Sequence, residues 1–225
     1  MLYLRLSSHR TEESIMKLYW LLFGFLLLPF GGWSQEDNAS RKFKGGLLLG
    51  LSTSQIDGDG YEGWNKVGPW GGAYVNTFLS EKVNFQLEMS YIGKGSRQPS
   101  DPDNGIFNFQ TIGLSYVEVP MLFQFKKGRF TYELGPSFGV LINDREEDQN
   151  GERVGEQRLF SFHSTEIAGH VGLNFLLLDN LIANVRVSRS ILPVSERTQF
   201  STRFGINGGA YSSVVAFSLR YQILK

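Results

Sequence analysis

Asp57-Gly58-Asp59-Gly60 places two carboxylates at alternate positions, the spacing by which a loop offers hard oxygen ligands to calcium. The rest of the twelve-residue pattern, ending in a bidentate Glu, is missing, so a Gly-rich turn at a strand end is the simpler reading. His163 and His170 raise a second chemistry, the base of a Ser/His/Asp triad. No nucleophile-elbow motif accompanies them. Seven residues apart, they point to opposite faces of an extended chain. Glu166 shares a face with His170, but at four residues' remove it is about 13 Å away by strand rise. A His170 satisfied by neighbours or water is therefore expected. The absence of Cys removes thiolate zinc sites, Cys nucleophiles, disulfides and a lipid-modified N-terminal cysteine. Lys+Arg 22 cancels Asp+Glu 22, so no global field draws nucleic acid. No catalytic residue, cofactor or metal is expected.

Six charges remain that no such chemistry claims: Glu88, Glu118, Glu133, Glu166, Arg186 and Arg220. Each lies in a segment of strict period-two alternation, on the face opposite a Val/Leu/Phe stripe. The clearest segment is Val83–Gly93, where Val83, Phe85, Leu87, Met89 and Tyr91 oppose Asn84, Gln86, Glu88 and Ser90. A slip of one residue would exchange the two faces completely. Seven further segments read the same way: Phe43–Gln55, Trp70–Phe78, Ile112–Phe125, Phe130–Leu141, Thr165–Phe175, Leu181–Arg189 and Tyr211–Ile223. In Trp70–Phe78 both faces carry aromatic or small residues, and its register stays open. The 26 glycines among 225 residues exceed the usual share of about 7%, as a glycine-kinked β protein requires.

Connections alternate too. Leu79–Lys82, Lys126–Arg129 and Leu177–Asn180 are short; Ile56–Pro69, Lys94–Thr111, Ile142–Ser164 and Ser190–Ala210 are long. Short periplasmic turns alternating with longer external loops are the pattern of an outer-membrane barrel. The sequence thus predicts an all-β fold, an eight-stranded antiparallel up-and-down transmembrane β-barrel of outer-membrane type. Charges facing lipid cost roughly 2–4 kcal/mol for Arg or Lys near the midplane, so the six must face the lumen. An eight-stranded lumen is filled by side chains, and the six are expected to form a paired polar plug. The stretch Asn143–Phe160, with Asp144, Glu146, Glu147, Asp148, Glu152 and Glu156 against Arg145, Arg153 and Arg158, reads as a solvated external loop with room for cations or a basic partner. Lys126, Lys127 and Arg129 read as a solvated basic turn.

Ahead of the barrel, Met16-Lys17 precedes an apolar run from Leu18 to Phe30, 13 residues long. That suits the core of a signal peptide and falls short of the roughly 20 residues of a membrane-spanning helix. Gly32-Trp33-Ser34 supplies small residues at the −3 and −1 positions of a cleavage site before Gln35. Residues 1–34 are expected to be an export address with translation starting at Met16, and residues 35–225 the barrel.

Several stretches in order carry a family likeness: Gly45-Gly46-Leu47 through Gln55-Ile56-Asp57-Gly58-Asp59-Gly60-Tyr61, Asn65-Lys66-Val67-Gly68, Leu79-Ser80-Glu81-Lys82, Val117-Glu118-Val119-Pro120-Met121-Leu122 and Leu134-Gly135-Pro136-Ser137-Phe138-Gly139. With these the chain resembles the PorT-like outer-membrane β-barrel proteins of Gram-negative bacteria over about residues 41–225. Two positions depart from the family pattern: the chain ends Tyr221-Gln222-Ile223-Leu224-Lys225 without a terminal aromatic, and Val187 follows Arg186 where Tyr is more usual. The resemblance implies an integral outer-membrane barrel in contact with lipid, and a part in secretion across that membrane beside an envelope or secretion-complex protein. From the residues alone, a barrel that is structural or binds a partner through its loops stands beside that role. A membrane-embedded enzyme and a soluble exported barrel are further alternatives; the charged inner face speaks against the latter.

Overall fold

A computed structural model describes residues 43–61, 63–100, 102–104, 108–155, 159–196 and 209–224. Nine strands run β1 (Lys44–Asp57), β2 (Lys66–Phe78), β3 (Val83–Gln98), β4 (Gln110–Lys127), β5 (Phe130–Asp148), β6 (Gly151–Arg153), β7 (Thr165–Leu178), β8 (Leu181–Ser190) and β9 (Tyr211–Leu224). Every pairing is antiparallel. The order β4-β3-β2-β1-β9-β8-β7-β5 is closed by β4 pairing with β5, giving a barrel of eight strands, with β6 folded back on the end of β5. Each of the eight expected segments is one barrel strand. Closure leaves no open edge in the wall, the condition for strands in lipid.

Alternation sets inside and outside. Leu49 is 76% exposed and Val171 67%, while neighbouring inward positions are buried. This outward apolar stripe recurs on all eight barrel strands. The undecided register of β2 resolves with Trp70, Tyr74 and Asn76 inward and Val67 and Val75 outward. Glycine lets the wall approach itself: a Cβ on Gly50 would lie 2.0 Å from the Phe217 carbonyl oxygen across the β1–β9 seam. At the turn from β4 to β5, Gly128 takes the left-handed φ of +62° that a two-residue hairpin demands.

Several strands outrun their expected bounds at the long-loop end. β1 continues to Asp57, β2 starts at Lys66, β3 continues to Gln98 and β5 to Asp148, and β4 starts at Gln110, with Gln110 opposite Asp148. The stretch Asn143–Phe160 is therefore not a single solvated loop. A strand that has left the membrane needs no apolar outer face, so the alternation cue fades while the ladder goes on. Inside this overhang Glu146 is buried and accepts hydrogen bonds from the backbone N–H groups of Leu159 (2.8 Å) and Phe160 (2.9 Å). Arg153, expected to be exposed, donates to Asp148 at 2.9 Å.

At the long-loop end the inward positions turn apolar. Ile56, Trp70, Ile92, Ile112, Leu114 and Val214 form a buried cluster with Phe160 and Val194. Loop segments cross above it: Phe162 bridges to Ser195 and Ser195 to Ala210, with Val194 N–H donating to the Ala210 carbonyl at 2.8 Å. The sequence reading, which assigned only polar plugging to the lumen, missed this cap.

Candidate functional site

The lumen holds the charges. Glu88 and Glu133 are each 1% exposed, Arg220 is 1% and Arg186 is 3% exposed. Even-numbered positions of β3, β8 and β9 and odd-numbered positions of β5 share the inner face, which aims these four side chains at one another. Arg186 makes a two-point contact with Glu88, Nη1 to Oε2 at 2.7 Å and Nη2 to Oε1 at 2.8 Å, and donates through Nε to Glu133 at 2.9 Å. Arg220 reaches Glu88 and Glu133 at 3.2 Å each. Two guanidinium groups and two carboxylates thus neutralise one another. Amides complete the shell: Asn174 and Asn184 donate to Glu133 at 2.8 and 3.0 Å, and Gln86 donates to Glu88. The Arg186 guanidinium lies over the Trp70 ring, 5.0 Å from its centre, within cation–π range.

Glu118 and Glu166 are buried on the same inner wall but belong to a second group. Both pair with Lys94, whose Nζ lies 2.6 Å from Glu118 and 2.8 Å from Glu166 and 4.3 Å from the centre of the Tyr116 ring. Lys94 is the residue that sequence reasoning missed. It sits one position past the expected end of the third strand; extending the even-numbered inner set of Asn84, Gln86, Glu88 and Ser90 would have found it. His170, also inward, meets the Ser137 hydroxyl at 2.6 Å through Nε2. This is the Ser–His contact that the triad idea calls for, but both residues are buried, and Nδ1 meets no acceptor among the described residues. His163 lies outside the strands.

The two carboxylates of Asp57-Gly58-Asp59-Gly60 have separate partners. Asp57 pairs with Arg189 at 2.6 Å on the wall. Asp59 turns into the loop and accepts from the Tyr61 N–H at 2.8 Å, the chain bending through the positive φ of Gly58 and Gly60. Burial pushes the Asp59 carboxyl up to about 6, with the nearby Ser96 hydroxyl and the Tyr61 N–H pulling the other way.

The outer membrane protein beta-barrel domain family matches residues 33–196. The chain belongs to this family. It is also similar in structure to Ail, the attachment invasion locus protein of Yersinia pestis, crystallised with the heparin analogue sucrose octasulfate. That likeness has 13% identity and a TM-score of 0.47 over 81% of this chain and 99% of that one. Neisserial surface protein A matches at 10% identity and a TM-score of 0.42, over 84% and 100%. AlkL matches at 12% and 0.36, over 87% and 98%. No curated protein matches the chain. As an outer-membrane barrel, the molecule turns its Leu/Val/Phe stripe to lipid, and the stripe's exposure is that of a surface covered by acyl chains.

Proposed function

We propose that this outer-membrane barrel is a closed, non-enzymatic element that binds an envelope partner through its loops and does not conduct. The observation that carries the closed, non-conducting part of this reading is the doubly blocked lumen. The Arg186–Glu88–Glu133–Arg220 cluster fills its middle, and the Ile56/Trp70/Leu114/Val194 cluster caps one end. The loop-rich end faces the cell exterior and the short turns face the periplasm. Residues 1–34, outside the described residues, are the export address that brings the barrel there. Burial of Ser137 and His170 argues against a hydrolase. Planar-bilayer recordings of the folded protein should show no stable conductance, and a large steady channel would overturn the closed reading.

The PorT-like stretches favour a more specific version, an accessory role in protein secretion. Deleting the gene should then retain normally secreted proteins in the periplasm, and restoring the full-length chain should release them. An unchanged set of secreted proteins would remove that role.

A further inference from the structure

Towards the long-loop end, β2 and β3 part after the Trp70–Ile92 pair. The rest of β2, back to Lys66, pairs with β1 alone, and β3 runs on to Gln98 against β4 alone. Two serines on the inner face of β1 stand in for the missing ladder. The Ser52 hydroxyl donates to the Gly93 carbonyl at 2.5 Å and lies 3.2 Å from the Gly68 carbonyl. The Ser54 hydroxyl donates to the Lys66 carbonyl at 3.2 Å and accepts from the Gly95 N–H at 2.9 Å. β3 thus passes on the inner side of β2, where a Cβ on Gly68 would lie 2.2 Å from the Gly93 oxygen. The bend leaves a notch of about 420 Å³ lined by β2, β3, β4 and β5. It opens on the outer face of the wall, because its β4 residues Thr111, Gly113 and Ser115 alternate with buried Ile112 and Leu114. Such a volume falls in the range of about 300–1,000 Å³ of small-ligand sites.

Accessible cations stand on both sides of the notch. The Lys66 side chain lies over Gly113, its Nζ 3.7 Å from where a Cβ would sit, and it pairs with no carboxylate among the described residues. Arg145, on the far wall, is 54% exposed and holds Glu147 at 3.3 Å and Glu152 at 3.6 Å. Exposed pairs of that length stabilise little and exchange readily for a stronger acceptor. Lys94 also lines the notch, but its ammonium is turned inward onto Glu118 and Glu166. Ser115 accepts from the Tyr91 hydroxyl at 3.0 Å, which leaves its own O–H to donate into the notch. Tyr91 is also where the lipid stripe ends. Leu87, Met89 and Tyr91 on β3 and Phe138, Val140 and Ile142 on β5 are exposed and apolar, and the notch begins at the next outward positions, Gly93 and Arg145.

We propose that the notch seats the phosphate of a membrane-lipid headgroup, between the Lys66 ammonium and the Arg145 guanidinium. The Ser115 hydroxyl is the third donor, and the acyl chains lie along Leu87, Met89 and Val140. A tetrahedral phosphate suits donors that converge from separate walls, and the glycine floor lets it approach the backbone. Continuity with the lipid stripe is what assigns the occupant to the bilayer and not to the aqueous phase. That the leaflet is the outer one rests on the sidedness proposed above; the seat itself does not.

The test uses the folded full-length barrel in phosphatidylcholine nanodiscs carrying a graded share of dioleoyl phosphatidic acid or, as its uncharged match, dioleoylglycerol. Amide resonances of Gly93 and Ser115 report on the notch, and that of Gly128, at the opposite end, is the control. Phosphatidic acid should shift the first two saturably and leave Gly128 in place; dioleoylglycerol should shift none. Lys66→Gln should weaken the effect about fivefold, the loss of one partly exposed charge pair, and Lys126→Gln, at the short-turn end, should not change it. Gly113→Val fills the floor without altering charge and should weaken it as well. Folding of each variant is checked by heat-modifiable gel migration, and Arg145→Gln takes the place of any variant that does not fold. Soluble glycerol 3-phosphate should need at least about tenfold more ligand for the same shift, since it has no chains to hold on the stripe. No shift, an unsaturable shift shared by Gly128, or an effect that survives Lys66→Gln would each overturn the proposal in favour of diffuse attraction to the surface. Equal binding of soluble glycerol 3-phosphate would overturn the lipid as occupant. The readout needs no partner and no cell, so its failure leaves the partner-binding reading untouched.

Discussion

Removing one guanidinium from the lumen leaves two carboxylates facing each other across a few ångströms with little solvent between them. Arg220→Leu should therefore lower barrel stability by about 3–5 kcal/mol, because Glu88 and Glu133 then share one cation, Arg186, between two negative charges. Arg97→Leu, at an exposed position near the end of β3, should cost almost nothing. The temperature at which the heat-modifiable gel band shifts measures both; equal effects would mean that the cluster carries no special weight. The inner faces of Glu88, Glu118, Glu133, Glu166, Arg186 and Arg220 could be read from alternation, since a strand has only two faces and lipid forbids one. Their partners could not: pairing depends on shear around the barrel, which no single strand encodes. Hence one cluster was expected where two exist, and the lysine at the centre of the second was overlooked. In the β1–β2 loop, Asp59 titrates near 6 where an ordinary Asp titrates at 3.8. The folded loop binds its proton more tightly than the unfolded chain, so the associated stability is full below about 3.8 and lost as pH rises through about 6. The Asp59 carboxyl carbon shift should show that midpoint, with the Tyr61 amide following it. A midpoint near 4 would show a solvated carboxyl.

Among the elements, the strands were legible in their membrane-crossing parts and poorly so beyond them. The lipid stripe is a strong cue because the bilayer imposes it. In the overhang of β3, β4 and β5 that constraint stops, and the backbone ladder holds the strands together with polar residues on both faces, as Glu146, Glu147 and Asp148 demonstrate. The cap escaped notice for a related reason. Ile56, Leu114 and Val194 have no shared periodicity; they meet only because long connections fold inward. The barrel seam supplies a sharp test. Gly50→Val drives a Cβ into the Phe217 carbonyl and should prevent β1 from pairing with β9, abolishing the fast-migrating folded band. Gly113→Ala, whose nearest contact would be 3.7 Å, should fold normally. A folded Gly50→Val barrel would show that the seam can spread. Sidedness can be read with single cysteines in a chain that has none. An impermeant thiol reagent on whole cells should label Gln149→Cys, in the β5–β6 hairpin, and spare Lys127→Cys, at the end of β4. Labelling of the latter alone would invert the orientation.

At the scale of the whole molecule, the outward stripe and the inward charges make the barrel the inverse of a water-soluble one. Leu219→Arg, on the lipid face of β9, should cost about 2–4 kcal/mol if near the midplane and reduce the yield of protein recovered from outer membranes. Normal yield would place that position outside the bilayer. Export is checked separately: intact mass of the protein from outer membranes should correspond to a chain starting at Gln35, and a species retaining Leu18–Phe30 would refute cleavage.

The sequence distances spanned by the central ion pairs bear on how such a barrel comes into being. Arg186 and Glu88 are 98 residues apart along the chain, Arg220 and Glu133 87 apart. They are brought within reach by strands that close the wall through β1–β9 and β4–β5. A half-built cylinder would present bare carboxylates and guanidinium groups to acyl chains. The charges that hold the finished molecule together therefore penalise every partly inserted form of it. Insertion and wall closure must proceed as one event, made either by the chain as a unit or under a catalyst that shields the nascent interior. A plug made of paired charges thus doubles as a proofreading device, because only a cylinder joined in the correct register becomes electrically neutral enough to stay in the membrane.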